Sequence, residues 1–419
     1  MEIAVIGIGM GYEQGLTVEA ADFIRKADLI AGSGRLTEFA SALRGTGCTY
    51  VSSWKAEEIR QAVDEHPEAE KVAVLYSGDT GFFSGASGIV DALPKNARVR
   101  FMPGISSVSF FCSRLRRSWQ DVHFVSMHGR DTEIVGQILH YPHVMAILGS
   151  DHDVADISRK LTDFDLNGCV LTVGENLGSL DEKIFSGHPS DFLNYSGCSM
   201  SVILIDSCLQ ESPARSSVPD AEFIRGDVPM TKEEVRTVSL SKLRVRRNSV
   251  VYDVGAGTGS VTVEAALAAW EGKVFAVEKN PSAVALLRQN IRKLRAASAV
   301  VVEGTAPEAL ESLPAPDCVF VGGSSGNLAA ILKTVRAKNP AVRVVVNAIT
   351  PETLSSAIDS MNQLGFSDPE IVCVSVSKGR KAGHVHLMTA QNPVYILSSD
   401  AIPENGDDGQ KNEAAGQEG

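Results

Sequence analysis

The stretch "VVYDVGAGTGSVTVEAA", Val250 to Ala266, decides the fold of the second half of this 419-residue chain. It reads as an apolar strand that breaks into a glycine-rich loop and continues as a helix. Glycines in such a loop let the backbone turn sharply and let a ligand approach the main chain closely. A similar break, "IAVIGIGMG" at Ile3 to Gly11, opens the first half of the chain. The sequence therefore predicts two nucleotide-type α/β folds in series.

Length and charge limit the possible functions. A chain of 419 residues is too long for one ordinary core and predicts two or three domains. The net charge of −12 provides no general attraction for nucleic acid or for an anionic membrane. No apolar run approaches the roughly 20 residues of a membrane helix, and no signal peptide is evident. We expect a cytoplasmic protein with neither a nucleic acid nor a membrane as its partner.

The cysteine and histidine patterns do not predict a metal site. Seven cysteines are scattered singly, which favours free buried thiols over a zinc site or a disulfide framework. These cysteines are Cys48, Cys112, Cys169, Cys198, Cys208, Cys318 and Cys373. His384 and His386 alternate on a predicted strand, which would turn both rings to one side, but a zinc site needs a further ligand.

The order of apolar runs predicts the domain organisation. Residues 1–206 alternate apolar strands with helices, which indicates α/β layering with largely parallel strands, in lobes of about 1–112 and 113–206. Residues 207–229 have linker composition, and residues 230–398 form a second α/β series. Its last two apolar runs are close enough for an antiparallel pair at a sheet edge. Residues 399–419 are acidic and glycine-rich, and we expect a disordered tail.

The second glycine loop carries a nucleoside-binding pattern. Its glycines are Gly255, Gly257 and Gly259, and the next strand ends in Glu278, about 20 residues on, where a carboxylate can accept both hydroxyls of a ribose. A nicotinamide dinucleotide would also use this pattern. Asp253 favours S-adenosylmethionine, because a carboxylate before the first glycine could approach the methionyl amino group.

The strands that follow extend this pocket. "EGTAPEAL", which contains Thr305 and Ala306, lies where adenine contacts are expected. "CVFVGGSSGN" ends in glycines at the mouth of the pocket, where Ser324 and Ser325 could bind a substrate or could only form the turn. Thr231, in "TKEE", could touch the cofactor or could cap its helix with Glu234 three residues on.

With these motifs in order, about residues 226–398 resemble the seven-stranded S-adenosylmethionine-dependent methyltransferases. "PMTKEEVRTVSLSKL", "DVGAGTGSVTVEAA", "AVEKNPSAVALLRQNIRKL" and "GTAPEAL" resemble, more narrowly, the decarboxylating precorrin methyltransferases. The resemblance implies a Rossmann-like seven-stranded fold with S-adenosyl-L-methionine as the cofactor. The implied cofactor-binding residues are Thr231, Asp253, Gly255, Ala256, Gly257, Thr258, Gly259, Glu278, Thr305 and Ala306.

Three motifs in the first half, "GIGMGYEQGLTVEA", "SGDTGFFSGAS" and "PGISSVSFF", resemble the tetrapyrrole methylase family. That family holds S-adenosylmethionine in the cleft between two α/β lobes. The chain departs from the family pattern at Met10 and Thr80, where proline is usual. The resemblance implies cofactor contacts at Gly7, Gly9, Gly78, Asp79, Thr80, Ser106 and Ser107. Asp79 could alternatively only form a turn.

The order of the two halves resembles the fused, decarboxylating precorrin-6Y methyltransferase family of cobalamin (vitamin B12) biosynthesis. The resemblance implies a bifunctional enzyme that methylates carbons 5 and 15 of a reduced precorrin and decarboxylates the acetate of ring C, giving precorrin-8. The partner is then a small tetrapyrrole, and we expect a homo-oligomer. No motif identifies a catalytic acid or base, and enamine-like ring carbons do not demand a strong base.

Substrate carboxylates require cations. Lys232 and Arg236 lie one helical turn apart and could face a pocket together, or could belong to a solvated helix face. His128 ends a strand near the first cleft, whereas Cys318 fits a core position better than a nucleophile. Two other functions remain open. One is an RNA or protein methyltransferase with a fused recognition domain, and the other is a single active methyltransferase with a regulatory, ligand-binding N-terminal domain.

Overall fold

The structure is a computed structural model that describes residues 1–129, 132–149, 153–198, 200–209 and 217–403. The chain divides into two compact units. The first comprises residues 1–132 and 138–209, and the second comprises residues 133–137 and 210–419. The predicted tail, from residue 404 onward, lies outside the described residues.

The first lobe of the first unit is a five-stranded parallel sheet in the order β3-β2-β4-β1-β5. Its strands are β1 (Glu2–Gly7), β2 (Leu29–Gly32), β3 (Thr49–Ser52), β4 (Lys71–Tyr76) and β5 (Arg98–Met102). Its helices are α1 (Val18–Arg25), α2 (Gly34–Arg44), α3 (Ala56–Glu65) and α4 (Ala86–Ile89). Strands β1 and β4 are apolar on both faces because helices cover both sides of the sheet.

The second lobe is a five-stranded mixed sheet in the order β6-β7-β10-β8-β9. Its elements are α5 (Ser107–Leu115), β6 (His123–Ser126), α6 (Ile134–His140), β7 (His143–Ile147), α7 (Val154–Asp163), β8 (Val170–Glu175), β9 (Lys183–Gly187) and β10 (Ser201–Asp206). Only β6 and β7 pair in parallel, so the prediction of largely parallel strands is wrong for this lobe. The last three strands follow one another without a crossover α-helix, which a parallel connection requires.

The second unit is built on a seven-stranded sheet in the order β13-β12-β11-β14-β15-β19-β16. Its strands are β11 (Val250–Val254), β12 (Lys273–Glu278), β13 (Ala299–Glu303), β14 (Cys318–Val321), β15 (Arg343–Ala348), β16 (Glu370–Val374) and β19 (Val394–Asp400). Its helices are α8 (Glu233–Leu243), α9 (Ser260–Ala268), α10 (Pro281–Lys293), α11 (Leu328–Lys338) and α12 (Pro351–Gln363). The predicted antiparallel pair at the sheet edge is confirmed as β16 with β19.

A separate two-stranded hairpin, β17 (Ser377–Ala382) and β18 (Val385–Ala390), was not predicted from the sequence. Gly383, with a φ of 64°, occupies its two-residue turn. His384 lies in that turn and His386 lies on β18, so the prediction that both alternate on one strand is wrong.

Two predicted boundaries differ from the structure. Helix α8 begins after Lys232 with no side-chain cap, so Thr231 does not cap it. Strand β19 runs to Asp400, and the amide of Ala401 donates to the carbonyl of Val342, so the ordered chain passes the predicted start of the tail at residue 399. The second boundary is decided by pairing within the sheet rather than by local composition.

The described second half of the predicted linker, residues 217–229, packs onto the second unit. Val218 and Phe223 are buried. The amide of Ile224 donates to the side chain of Asn290, and the side chain of Asn290 donates back to the carbonyl of Ile224. This segment therefore belongs to the C-terminal fold and leads directly into residues 228–232.

Arg236 holds that segment in place from inside the protein. Its side chain is fully buried, with Nε 2.6 Å from Glu264 and Nη1 3.1 Å from Asp220. It also donates to the carbonyls of Val218 and Thr231. The prediction that Arg236 faces a pocket and binds substrate is wrong, because its side chain is fully buried and each of its three nitrogens donates to an internal acceptor.

The seven cysteines, all of which lie in the described part of the chain, form no disulfide bonds. Cys208 and Cys373 are exposed, so the prediction of buried thiols is wrong for these two. Burial raises the pKa of Cys318 to about 12, which fits a core position. Within the described chain, no helix combines the length and hydropathy needed to span a membrane.

We predict that R236A lowers the free energy of unfolding of the second unit by about 3–5 kcal/mol, because Glu264 and Asp220 would be left without their buried cation. Urea unfolding measures the change. The matched control is R292A on α10, an exposed arginine, which should shift stability by less than about 0.5 kcal/mol. Equal effects of the two variants would contradict the structural role of Arg236.

Candidate functional site

A cleft of about 750 Å³ opens at the carboxyl ends of the parallel strands of the second unit. It is lined by residues that follow β11, β12, β13 and β14, together with residues 228–232 and the start of α8. Ligands of open α/β sheets bind at this edge, and the volume is in the range of small-molecule pockets.

The glycine loop forms the floor of the cleft. Gly255 and Gly257 line it with φ of 75° and 56°, which are backbone conformations that residues with a side chain rarely adopt. The amide of Gly257 donates to Oε2 of Glu278 over 2.9 Å. The other oxygen of Glu278 accepts the amides of Lys279 and Asn280, so the carboxylate is fixed at the end of β12 and faces the cleft.

Asp253 and Gly259, two of the predicted cofactor-binding residues, lie behind the loop and do not line the cleft. Asp253 is 1% exposed, and its Oδ2 accepts the hydroxyl of Thr262 over 2.5 Å. Gly259 begins α9 against the side chain of Leu287, where a Cβ would collide. Gly259 therefore serves helix packing, and its predicted contact with the cofactor is not supported.

The buried carboxyl of Asp253 is only half satisfied. Its Oδ1 has no hydrogen-bond partner among the described residues. Burial raises the pKa of Asp253 to about 6, against the opposing effect of the Thr262 hydroxyl. The carboxyl therefore connects β11 to α9 through Thr262 and leaves one buried oxygen unsatisfied among the described residues.

The remaining predicted residues of the second unit reach the cleft. Thr231, Lys232, Ala256, Thr258, Thr305, Ala306, Ser324 and Ser325 line its walls. The ammonium of Lys279, also a lining residue, donates to the hydroxyl of Ser325 over 2.9 Å. Ser325 has a φ of 50°, so the serine pair forms a tight turn and lines the cleft at the same time.

Sequence reasoning missed an amide-rich wall formed by Asn347, Gln391 and Asn392. Asn347 lies on β15, and the other two residues immediately precede β19, its antiparallel neighbour. Polar residues at the cleft end of otherwise apolar strands were the available signal. They could not be connected to the glycine loop before the strand order was known.

The cleft fits S-adenosylmethionine on its own chemistry. Thr258 lines it with a buried hydroxyl that has no hydrogen-bond partner in the described chain. Glu278 presents a carboxylate to the cleft. These groups can receive the amino and hydroxyl donors of a nucleoside linked to an amino acid tail.

In the first unit, three predicted loops converge through glycine backbones. Gly9 and Gly78 exchange two hydrogen bonds between their amides and carbonyls, of 3.1 and 2.9 Å. A Cβ at Gly104 would collide with the carbonyl of Gly78 and would lie 2.5 Å from that of Gly7. The glycines after β1, β4 and β5 therefore allow backbone contacts that side chains would prevent.

Asp79 connects two of these loops through hydrogen bonds. Its Oδ1 accepts the amide of Gly81 over 2.8 Å, which is the predicted turn-forming role, and its Oδ2 accepts the amide of Gly104 over 3.2 Å. Thr80 follows in the same loop, partly buried. Ser106 caps α5 by accepting the amide of Ser109, and Ser107 begins that helix.

Two further features of the first unit concern predicted residues. Met10, at the position of the family's usual proline, packs against Gly178, where an added Cβ would lie 2.6 Å from the Cβ of Met10. This contact joins the first loop to the loop after β8 of the second lobe. His128 is exposed in a turn after β6.

Two protein families match the chain. Residues 2–191 match the family described as Tetrapyrrole (Corrin/Porphyrin) Methylases. Residues 222–400 match the family described as Precorrin methyltransferase domain. The second match begins inside the predicted linker, in the segment that packs against α8 and α9.

Individual relatives match one unit or both. A protein from Sinorhizobium sp, named precorrin-6Y C(5,15)-methyltransferase (decarboxylating), is 30% identical over 402 residues, which cover 94% of this chain and 95% of the relative. A protein from Pyrobaculum calidifontis, named probable cobalt-precorrin-6B C(15)-methyltransferase (decarboxylating), is 44% identical over 189 residues, which cover 44% of this chain and 96% of the relative. A solved structure of precorrin-6Y C5,15-methyltransferase from Geobacter metallireducens is 38% identical, covers 44% of this chain and 95% of that chain, and has a TM-score of 0.42.

We predict that G104A destabilises the first unit by about 1–3 kcal/mol, because the added methyl group has no room between two backbone carbonyls. Urea unfolding measures the loss. G88A is the matched control, since a Cβ at Gly88 meets no atom within 4 Å, and it should be neutral or slightly stabilising. If G104A were as stable as wild type, the loops could move apart without a cost in the free energy of unfolding, which would contradict the prediction.

We predict that D253N stabilises the second unit by about 3 kcal/mol near neutral pH. The pKa of Asp253 is raised from 3.8 to about 6, so the folded protein holds more protons than the unfolded chain between these values. The stability contribution of Asp253 therefore falls as pH rises through this window and stays low above it. Asparagine keeps the acceptor for Thr262 and removes the buried charge.

Urea unfolding of D253N and wild type at about pH 4 and about pH 7.5 measures this difference, which should be small at the lower pH. The matched control is D359N, at an exposed aspartate of α12, which should shift stability by less than about 0.5 kcal/mol at either pH. A pH-independent difference for D253N would contradict the raised pKa.

Proposed function

Because the chain belongs to the family of decarboxylating precorrin-6Y C(5,15)-methyltransferases, we propose that each of its two units carries one methyl-transfer site. The chain is a C-methyltransferase of cobalamin biosynthesis that acts on a reduced precorrin. The match over 94% of the chain carries this conclusion, since it includes both units in the same order. We assign carbon 5 to the first unit, and carbon 15 with loss of carbon dioxide to the second.

We propose S-adenosylmethionine as the methyl donor, whose sulfonium supplies an electrophilic methyl group when it is bound. In the second unit, the carboxylate of Glu278 accepts the ribose hydroxyls. Thr258 and the amides of the glycine loop bind the methionyl end, and Thr305 and Ala306 face the adenine. Asp253, buried behind the loop, does not contact the donor.

The substrate end of the cleft is polar and contains two cations. Lys232 and Lys279 line it, and Lys279 is held by Ser325. The amides of Asn347, Gln391 and Asn392 line the cleft as well. We propose that these groups pair with the peripheral carboxylates of the precorrin and orient carbon 15 toward the donor. Such positioning can supply most of the acceleration of a methyl transfer.

Decarboxylation of the ring C acetate needs orientation more than acid–base chemistry. The electron pair of the broken carbon–carbon bond enters the conjugated macrocycle, and carbon dioxide leaves. We propose that the amide wall holds the acetate out of the ring plane as an ionised carboxylate that no close cation pairs with. The residues of the wall bind and orient the acetate and exclude water from it.

In the first unit, we propose that the joined loops at Gly9, Gly78 and Gly104 present backbone donors and acceptors to a second donor molecule. Asp79 holds two of these loops at a fixed separation, so it acts on the donor through the backbone. Thr80, Ser106 and Ser107 lie at the same edge and offer short polar side chains.

The other two functions weighed from the sequence are less well supported. Family membership favours a tetrapyrrole over RNA or protein as the substrate. A purely regulatory first unit would bind donor without transferring its methyl group, which an experiment can distinguish.

We predict that the full chain, given a reduced precorrin and labelled S-adenosylmethionine, adds two methyl groups and releases one carbon dioxide, as measured by mass spectrometry. E278Q should raise the KM for the donor in the second methylation by about tenfold or more, because a charged hydrogen-bond acceptor is lost. It should leave the first methylation intact. G104A should impair the first methylation and leave the second methylation intact.

The two variants serve as controls for each other. If both variants lost both methylations equally, the proposal of two independent sites would be wrong. If the wild-type product carried one added methyl group and had lost carbon dioxide, with no second methylation, the first unit would be regulatory.

A further inference from the structure

The hairpin of β17 and β18, residues 377–390, is the feature of the second unit that the proposed chemistry has not used; we name it the hairpin arm. Its two ends are attached at the cleft. Val376 and Gln391, which flank it, both line the cleft, and the amide of Gln391 donates to the carbonyl of Val376 over 2.8 Å. The hairpin arm therefore extends from the substrate end of the cleft.

The hairpin arm is basic in an acidic protein. Its residues "SKGRKAGHVHLMTA" include two lysines, one arginine and two histidines but no aspartate or glutamate. The whole chain has a net charge of −12. A local cationic surface in such a chain attracts anions to this one place.

One of these cations anchors the hairpin arm to the rim of the cleft. The ammonium of Lys378 lies 2.8 Å from Oε1 of Glu234 on the first turn of α8, next to the lining residue Lys232. This ion pair raises the pKa of Lys378 and lowers that of Glu234. Arg380 is two residues further along the same strand, so it shares the face of Lys378.

The other two cations, Arg380 and Lys381, have no anionic partner in the described part of the chain. Arg380 and Lys381 are exposed, and neither forms an ion pair with any residue that the structure describes. Neither lines the cleft itself, so both lie on the hairpin arm beyond the rim. Arg380 can bind a carboxylate with two parallel hydrogen bonds, which makes it well suited to recognise one.

The same strands expose apolar side chains. Val385, Leu387 and Met388 are 58%, 51% and 66% exposed. Leu387 lies directly opposite Arg380 in the hairpin register, and Val385 shares its face two residues away. An isolated two-stranded hairpin is marginally stable in water. A ligand that covered these apolar side chains would therefore stabilise the hairpin arm.

An apolar face with a free cation on it matches a flat ring that carries carboxylates on its edge. We propose that the hairpin arm is a substrate-binding element of the second site, in which Val385 and Leu387 cover the ring of the tetrapyrrole and Arg380, on the same face, pairs with a peripheral carboxylate. Lys381, on the opposite face of the strand, reaches a further carboxylate around the strand edge. This inference rests on the proposed function of the second unit. Attachment at the cleft favours this ligand over a nucleic acid, a membrane or a second copy of the chain.

The test compares full-length double variants that lose the same charge. R380A/K381A should raise the KM for the reduced precorrin in the release of carbon dioxide by about three- to tenfold, with kcat and the KM for the donor nearly unchanged, as expected for two partly exposed ion pairs. The control is R292A/K293A at the C-terminal end of α10, whose cleft residue Ala283 lies near the other end of the helix. It should leave the KM for the precorrin, the KM for the donor and kcat unchanged.

Two further measurements separate a specific role from a structural one. R380K/K381R keeps both charges and should restore most of the wild-type KM. Raising the ionic strength should raise the KM of wild type more than that of R380A/K381A, because salt screens exposed pairs. Binding of uroporphyrin III, a stable tetrapyrrole with carboxylates on its rim, should weaken by a similar factor in R380A/K381A.

Three outcomes would overturn the inference. One is an unchanged precorrin KM in R380A/K381A while wild type releases carbon dioxide normally; the proposed function would then stand without the hairpin arm. Another is a changed molecular mass by light scattering with an unchanged KM, which would make the hairpin arm a contact between subunits. A third is an equal rise of KM in R292A/K293A, which would indicate a general charge effect. Failure of wild type to release carbon dioxide would instead contradict the proposed function itself.

Discussion

The buried ion pairs of Arg236 with Glu264 and Asp220 are the interaction on which the second site depends. A buried guanidinium is costly unless its donors are satisfied, and here carboxylates and backbone carbonyls satisfy them. These acceptors come from α9 and from the segment before α8. The arginine thus fixes residues 217–231 against the sheet, and these residues continue into one wall of the cleft.

The two units bring loops to a ligand by different physical means. In the first unit, glycines allow backbone to touch backbone, and Asp79 joins two of the loops by accepting amides. In the second unit, carboxylates organise the loop, with Glu278 on the cleft side and Asp253 buried behind. The buried carboxyl of Asp253, whose pKa is raised, lies directly behind the loop, and carboxyl groups with shifted pKa values are common near functional sites.

Much of the fold could be predicted from apolar runs and glycine loops, because these signals are local. The parallel strands, the antiparallel pair of β16 and β19, and helices α1 and α5 follow from them. The second lobe could not be predicted correctly, because β9 is mostly exposed and carries no strong apolar run, and without it the stretch between β8 and β10 is long enough for a crossover. The hairpin arm was missed because its strands are exposed and lack an apolar core face.

The sequence by itself determined the loop glycines, the spacing from Gly255 to Glu278 and the order of the two folds, because each depends on residues close together in the chain. Only the tertiary structure decided which side chains face the cleft. It placed Arg236 inside the protein, Asp253 behind the loop, and Asn347 beside Gln391 at the cleft. Burial and proximity of this kind arise from packing between distant segments, which no local pattern records.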